Sequence, residues 1–177
     1  MLELAINYAD ELKTKMQSIW FDEKYKYYNS QNYYSEFNIA DNTWSQHQYV
    51  SVDSNNKVIG FIDYSINRQT NAVSNVGIIS FSNNKLTFAR DLISVFKDIF
   101  DKFRFHKINF FVILGNPTEK HYDKIVEKCG GRVVGIYKQD VKLIDNKLYD
   151  IKVYEITRTD YYTKQAADLI KKLGNTV

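Results

Sequence analysis

The fold is decided by residues 72–114, which read AVSNVGIISFSNNKLTFARDLISVFKDIFDKFRFHKINFFVIL. Residues 72–81 are rich in Val and Ile and predict a strand. A polar turn follows, and apolar residues then recur at steps of three and four, which predicts an amphipathic helix. They are Ala89, Leu92, Ile93, Phe96, Ile99, Phe100 and Phe103. Residues 108–114 have the composition of a strand buried on both faces. The whole unit therefore predicts a parallel strand pair with a right-handed crossover.

The residues before this unit predict a hairpin. Residues 49–52 and 58–66 have a β-rich pattern of period two, and the intervening residues 53–57 have the composition of a turn. Together with the strand that follows, they predict three antiparallel strands in a row. Further upstream, residues 3–20 predict an amphipathic helix. Residues 21–46 are polar and aromatic without a clear period, and we expect one short helix within them.

The residues after this unit predict a helix, a second hairpin and a last helix. Pro117 suits the first position of the helix, and Gly130 suits its end. The inner face of that helix is Tyr122, Ile125, Val126 and Cys129. The hairpin spans residues 133–143 and 148–156, and the last helix spans residues 160–173. The apolar residues of the last helix are Tyr162, Ala166, Leu169, Ile170 and Leu173. No linker separates these elements, so we expect one domain over residues 1–177.

Composition limits the classes of function. The 177 residues carry a net charge of +3, which is not the clustered basicity of a nucleic-acid binder. No apolar run approaches the length of a membrane span, and the first residues do not resemble a signal peptide, so we expect a cytoplasmic protein without a membrane partner. Cys129 is the single cysteine, and the three histidines lie far apart in sequence, so we expect no metal site.

The order of elements resembles that of the GNAT (N-acetyltransferase) superfamily over about residues 47–158. In that family, a loop of the type Arg/Gln-x-x-Gly-x-Gly/Ala opens the helix between the two central strands. Residues 84–89 read NKLTFA at this place. Ala89 fits the last position of the loop, whereas Asn84 replaces the usual Arg or Gln and Thr87 replaces the usual Gly. The loop is therefore a degenerate form of the family's pattern.

Two further segments carry the resemblance. Residues 116–131 resemble a helix of the family that begins after an Asn and ends in Glu-Lys-x-Gly, with Gly131 in place of the usual Phe. Residues 145–160 resemble the closing hairpin of the ribosomal-protein and amino-terminal acetyltransferase branch. The resemblance implies an α/β fold with a mixed, mostly antiparallel sheet, in which the two parallel central strands splay apart between flanking helices.

The resemblance also implies acetyl-CoA as co-substrate. Its pyrophosphate would bind at the start of the central helix, where free N–H groups and the helix dipole favour an anion. The loop lacks the glycine that lets a backbone approach phosphate closely, and the charges of Lys85 and Arg90 could compensate. The residues placed at acetyl-CoA are Ile79, Phe81, Asn84, Lys85, Leu86, Thr87, Phe88, Ala89, Arg90 and Asn116.

The chemistry implied is direct attack of a primary amine on the thioester. By resemblance, Tyr122 is the candidate acid that protonates the thiolate, although a tyrosine in that row could also be a core aromatic. Asp63 is the candidate base; it either lines a cavity or faces solvent from an exposed strand face. Ser80 could hold a water molecule or the acceptor. His121 is adjacent to Tyr122, and we expect it on the outer face of the helix.

The aromatic residues of the long segment lie where the family builds part of its acceptor wall. They are Tyr25, Tyr27, Tyr28, Tyr33, Tyr34, Phe37 and Trp44. They could line a pocket, form a small aromatic core or present a partner surface. As a pocket wall, they favour an acceptor that is flat or partly apolar.

Three functions remain open at the level of sequence. The first is an N-acetyltransferase that acts on a small-molecule or peptide amine. The second is a catalytically silent GNAT-like module that binds a ligand or a protein, and the third is an unrelated small α/β protein, because a fold alone does not settle function. A homodimer could form through the closing hairpin or the last helix.

Overall fold

The computed structural model describes residues 1–28, 37–82 and 85–174, without the side chains of Lys85 and Leu173. The strands are β1 (Leu2–Leu4), β2 (Gln46–Val52), β3 (Val58–Asn67), β4 (Ala72–Ser80), β5 (Lys107–Ile113), β6 (Arg132–Lys142) and β7 (Leu148–Thr157). The helices are α1 (Ala9–Ser18), α2 (Lys85–Asp101), α3 (Glu119–Lys128) and α4 (Arg158–Gly174), and short 3₁₀ turns occupy Ala5–Tyr8 and Glu23–Tyr25. None of the described helices has the length and apolar character to span a membrane.

The seven strands form one sheet in the order β1-β2-β3-β4-β5-β7-β6. Strands β4 and β5 pair in parallel, and the other described neighbours pair in antiparallel fashion. The mixed, mostly antiparallel sheet predicted from the order of elements is confirmed. Strand β6 lies at one edge of the sheet, and a dimer through it stays a prediction.

The central strands diverge after a short contact. The parallel register of β4 and β5 consists of Ala72 opposite Lys107 and Val73 opposite Ile108. Asn75 then adopts a φ of 51°, and the register of β4 against β3 shifts at this point, which is the geometry of a bulge. Beyond the bulge, β4 continues along β3 and β5 continues along β7. A gap that widens toward the end of both strands is the result.

Apolar side chains fill both faces of the sheet. The larger core lies under α2 and α3 and includes Phe96, Phe100 and Phe110. The core on the other face lies under α1 and includes Leu12 and Phe61. Because side chains alternate along a strand, β3 and β4 contribute to both cores and hold the sheet between two helical layers.

The first predicted helix begins too early. Residues 2–4 form the edge strand β1 against Tyr49–Ser51, and the helix begins only at Ala9. The free edge of β2 offers main-chain hydrogen bonds, which outweigh the helical spacing of the apolar residues. Pro117 was also expected at the first position of α3, but that helix begins at Glu119 after a turn that starts at Asn116.

The inner face of α4 differs from the prediction by one residue. Tyr161 is buried and stacks on Phe100, with ring centroids 4.7 Å apart. Tyr162, Leu169 and Ile170 were expected inside but are 45%, 58% and 70% exposed. The helix follows β7 without a loop, so the direction of the strand, rather than the apolar stripe, sets which side meets the core. Residues 108–114 are likewise not buried on both faces, because Phe111 is 40% exposed at the gap.

Candidate active site

A cleft of about 960 Å³ occupies the gap between β4 and β5. Its described lining comes from both sides of the sheet: the aromatic segment and Asp63 on the α1 side, and the first turn of α3 on the other. This volume lies in the range of sites that bind small molecules and cofactors. The cleft exists because β5 leaves β4 after Ile108 and none of the seven described strands fills the space.

Asp63 lies in this cleft rather than in open solvent. Its Oδ2 accepts a hydrogen bond from Gln46 Nε2 at 2.9 Å, and the N–H of Gly77 also donates to the carboxylate. A Cβ added at Gly77 would come within 2.1 Å of Asp63 Oδ1. Glycine at this position is therefore what lets the carboxylate rest against β4.

Burial dominates the ionisation of Asp63. It raises the pKa of the carboxyl group to about 7, although the hydrogen bonds from Gln46 and Gly77 lower it. At neutral pH the group is therefore present in both protonation states. A carboxylate with this pKa can accept a proton and release it again near neutral pH.

Two tyrosines line the cleft from opposite faces of the sheet. Tyr122 projects from the first turn of α3 and packs on Phe110 with ring centroids 6.0 Å apart. Burial raises the pKa of Tyr122 to about 12. The hydroxyl of Tyr28 lies 3.6 Å from the position that a Gly77 Cβ would occupy, and its pKa is raised by burial first and then by the charges of Asp63 and Tyr122. Both hydroxyls therefore stay protonated at neutral pH.

The backbone of β4 supplies further donors. The N–H of Phe81 donates to the carbonyl of Ile59 at 2.9 Å. Because alternate residues of a strand bond to opposite neighbours, the N–H of Ile79 also points at β3. The N–H groups of Ile78 and Ser80 point into the gap that β5 has left.

This alternation bears on Ile79 and Phe81, expected at the co-substrate, and on Ser80, expected to hold a water molecule or the acceptor. The main-chain groups of Ile79 and Phe81 face β3, and their side chains pack in or against the core under α1. Ser80 lines the cleft, and its Oγ donates to the carbonyl of Ser82 at 3.1 Å. Sequence reasoning named Ile79 but not Ile78, because the bulge at Asn75 sets which amides face the gap.

The start of α2 is partly described. Asn84 lies outside the described residues. Leu86 and Arg90 are exposed, and Thr87 is half-buried. Phe88 is buried, and its ring would lie 2.3 Å from a Cβ added at Gly60, so this residue anchors the helix to β3. Ala89, where the loop pattern expects a small residue, is exposed.

Asn116 lines the cleft at the end of β5, where its Oδ1 accepts hydrogen bonds from the N–H and the Oγ1 of Thr118 at 2.9 and 2.7 Å. It therefore shapes the turn into α3. His121 is exposed on that helix, as expected. Within residues 1–28, 37–82 and 85–174, no three His, Cys, Asp or Glu side chains group closely enough to hold a metal ion.

No protein-family model matches the chain, and no curated protein matches it. Several solved structures do resemble the chain. A chimera of the spermidine N-acetyltransferase SpeG from Vibrio cholerae and hSSAT is 25% identical, with a TM-score of 0.55 over 67% of this chain and 71% of that chain. The spermidine/spermine N-acetyltransferase SpeG from Vibrio cholerae is 24% identical, with a TM-score of 0.56 over 69% and 71% of the two chains. A second SpeG–hSSAT chimera is 19% identical, with a TM-score of 0.59 over 92% of this chain and 99% of that chain.

This chain has the GNAT acetyltransferase fold. The resemblance stated from the order of elements is confirmed by these structures and by the divergence of β4 from β5. In this GNAT fold, Asp63 and Ser82, which lies shortly before α2, both line the gap.

The aromatic segment of this GNAT fold does line a pocket. The residues that face the cleft are Tyr25, Tyr27, Tyr28 and Phe37, and they also pack on the sheet. They therefore form a pocket wall and a small aromatic core at the same time. Trp44 lies apart, 69% exposed, with the Arg68 guanidinium 4.8 Å from its ring centroid. Tyr33 and Tyr34 lie outside the described residues.

Two groups that hold Asp63 were missed from the sequence. Gly77 interrupts a strand pattern, which signals a bulge or a close approach and could have been read that way. Gln46 gives no such signal, because it reaches Asp63 only through the pairing of β2 with β3. Burial raises the pKa of the Cys129 thiol, which disfavours the reactive thiolate.

Proposed function

We propose that this protein transfers the acetyl group of acetyl-CoA to a primary amine by direct attack of the amine on the thioester. The observation that carries the proposal is the pair Asp63 and Tyr122 on either side of a cleft between splayed strands. The solved structures that resemble the chain include N-acetyltransferases, which supports the same reaction.

The described residues fit acetyl-CoA. The N–H groups of Ile78 and Ser80 offer donors along the gap for the amide-containing arm and the thioester carbonyl. The N-terminus of α2, a helix of 17 residues, offers the dipole and free N–H groups that favour phosphate. Arg90, exposed near that end, adds positive charge. Bound there, acetyl-CoA supplies the activated acetyl group.

Asp63 would remove a proton from the acceptor. An alkylammonium must lose a proton before its nitrogen can attack, and a carboxylate with a pKa of about 7 accepts that proton near neutral pH. Gln46 and Gly77 hold the carboxylate in place while its protonation changes. The proton then passes to solvent.

Tyr122 would donate a proton to the departing sulfur. With a pKa of about 12, its hydroxyl carries the proton throughout the neutral range. As the carbon–nitrogen bond forms and the carbon–sulfur bond breaks, this proton goes to sulfur, and the second proton lost by nitrogen restores the tyrosine. An ammonium and a thioester thus become an amide, a thiol and one proton released to solvent.

Calorimetry with acetyl-CoA and a thiol-release assay with amines test the proposal. We expect saturable binding and amine-dependent release of free thiol. The Arg90→Ala variant should weaken acetyl-CoA binding about two- to fivefold, as expected for one exposed charge. Lys97→Ala, an exposed lysine further along the same helix, is the matched control and should leave binding unchanged.

Absence of binding at millimolar acetyl-CoA would refute the acetyltransferase assignment. Binding without thiol release for any amine would instead identify a silent binding module.

A further inference from the structure

The acceptor side of the cleft combines aromatic rings with a half-buried carboxylate. Trp20, Tyr25, Tyr28 and Phe37 line the cleft on the α1 side of the sheet, where Asp63 also lies. Phe37 packs edge-on against Phe61 with ring centroids 5.3 Å apart, so this wall is fixed to the sheet. Flat rings around a carboxylate suit an ammonium group attached to an apolar body.

The two glutamines of this wall already have hydrogen-bond partners. Gln46 donates to Asp63. Gln48 is buried; its Oε1 accepts from the N–H of Ala40 at 2.7 Å, and its Nε2 donates to the carbonyl of Asn38 at 3.2 Å. These amides therefore hold the wall together rather than offering their groups to an acceptor. Polar groups on the body of an acceptor would lose their water without gaining a partner from either glutamine.

The charges of the wall fit a single ammonium group. Among the described residues that line the cleft, the acidic side chains are Asp63 and Asp140, and Asp140 is exposed on β6. Lys24 also lines the cleft and is exposed at its rim, with its ammonium 5.1 Å from the ring centroid of Tyr25. A second positive charge on the acceptor would meet this lysine and would need its own anionic partner when buried.

We infer that the acceptor is a primary amine with one positive charge on a flat, apolar body, such as an arylalkylamine, and not a polyamine. The inference rests on the proposed function and specifies the acceptor of that same site. It separates this chain from the solved structures it resembles, which are named as spermidine N-acetyltransferases. The carboxylate of Asp63 binds the ammonium, and the rings of Tyr25, Tyr28 and Phe37 cover the body.

Steady-state acetyl transfer to 2-phenylethylamine and to spermidine tests this inference. We expect kcat/KM to be at least tenfold higher for 2-phenylethylamine. Tyr25→Leu should lower kcat/KM for 2-phenylethylamine by about three- to tenfold, the loss typical of one aromatic contact, and should change the value for spermidine little. Trp44→Leu removes an exposed ring outside the cleft and should change neither value.

The outcomes separate the acceptor class from the reaction. A preference for spermidine, or acetyl transfer that gives 2-phenylethylamine no advantage, overturns the acceptor class and leaves the acetyltransferase standing. If no amine releases thiol, the proposed reaction fails, and calorimetry of 2-phenylethylamine with the wild-type protein then decides the acceptor class by itself. Binding that Tyr25→Leu weakens supports the class, and absence of binding overturns it. Circular dichroism and melting temperatures confirm that both variants fold.

Discussion

Replacing Asp63 with asparagine should stabilise the folded protein at alkaline pH while it removes the proposed base. Burial raises the pKa of this carboxyl group from 3.8 to about 7. Each pKa unit corresponds to about 1.4 kcal/mol, so ionisation of Asp63 costs the folded state about 4 kcal/mol. Asparagine carries no charge but accepts less strongly from Gln46 and Gly77, and these weaker hydrogen bonds reduce the gain in stability by about 1 kcal/mol. We therefore expect Asp63→Asn to raise the free energy of unfolding by about 3 kcal/mol at pH 8.5.

The effect depends on pH in a defined direction. Below about pH 4, Asp63 is protonated in the folded and the unfolded chain, so the variant gains little. Between about pH 4 and 7, the unfolded chain releases the proton and the folded chain keeps it, so the stability of the wild-type protein falls as the pH rises. Above about pH 7, the loss is complete and the advantage of the variant is constant.

Urea denaturation at pH 4 and pH 8.5 measures this difference. For a chain of this size, about 3 kcal/mol corresponds to a rise of roughly 6–12 °C in Tm. Asp53→Asn is the matched control, since the N–H groups of Lys57 and Asn55 lower the pKa of that exposed carboxyl group. Its stabilising contribution is present above about pH 4, so the control should be less stable than wild type at pH 8.5.

An equal effect of Asp63→Asn at both pH values would contradict the reasoning, as would a loss of stability at pH 8.5. Either result would mean that Asp63 is ionised and well paired in the folded state. In the thiol-release assay, the same variant should lose about 10²- to 10⁴-fold in kcat, the range for removal of a general base. For the wild-type protein, kcat/KM should rise as Asp63 ionises near pH 7.

Three further outcomes are expected. Tyr122→Phe should lower kcat about 10²-fold or more and leave the calorimetric Kd for acetyl-CoA within about twofold, because only proton donation is lost; unchanged turnover removes Tyr122 from the mechanism. Gly77→Ala should displace the Asp63 carboxylate, since the new Cβ would lie 2.1 Å from Oδ1, and should lower kcat/KM at least tenfold. Gly135→Ala is the control, because no atom lies within 4 Å of its added Cβ, and it should leave kcat/KM unchanged. Equal activities of the two variants would refute the close approach. His47 is buried, and burial is the chief reason that its pKa lies below 6.5. The free energy of unfolding, measured by urea titration, should therefore fall as the pH falls from about 6.5, and His47→Gln should flatten this dependence. An unchanged slope in the variant would assign the acid sensitivity to other groups.

Much of the fold follows from local patterns. The strand predicted at residues 72–81 and the helix after it appear as β4 and α2, because side chains on strands and helices repeat with different periods. The closing hairpin was likewise predicted within a residue or so at each end. Errors occurred where a distant element decided the outcome, as at β1, which pairs with β2, and at α4, which β7 directs.

The candidate site could be predicted only in part. Asp63 and Tyr122 were named from the sequence, yet it left open whether each faced a cavity, solvent or the core. Sequence alone gave no role to Gln46 or to Gly77 as the residues that hold Asp63. Their meeting depends on the registers of β2, β3 and β4, which are set by pairing between residues far apart in the chain.

The sequence by itself determined the order strand–helix–strand over residues 72–114, and with it the parallel pair and its crossover, because hydrophobic periodicity is a local property of the chain. Only the tertiary structure decided that this pair touches at Ala72 and Val73 and then separates. The bulge at Asn75 and the pairing of β5 with β7 pull the two strands apart. That separation opens the cleft, while the register of β3 against β4 sets Asp63 beside Gly77, where burial raises its pKa, and none of these is a property of any one segment.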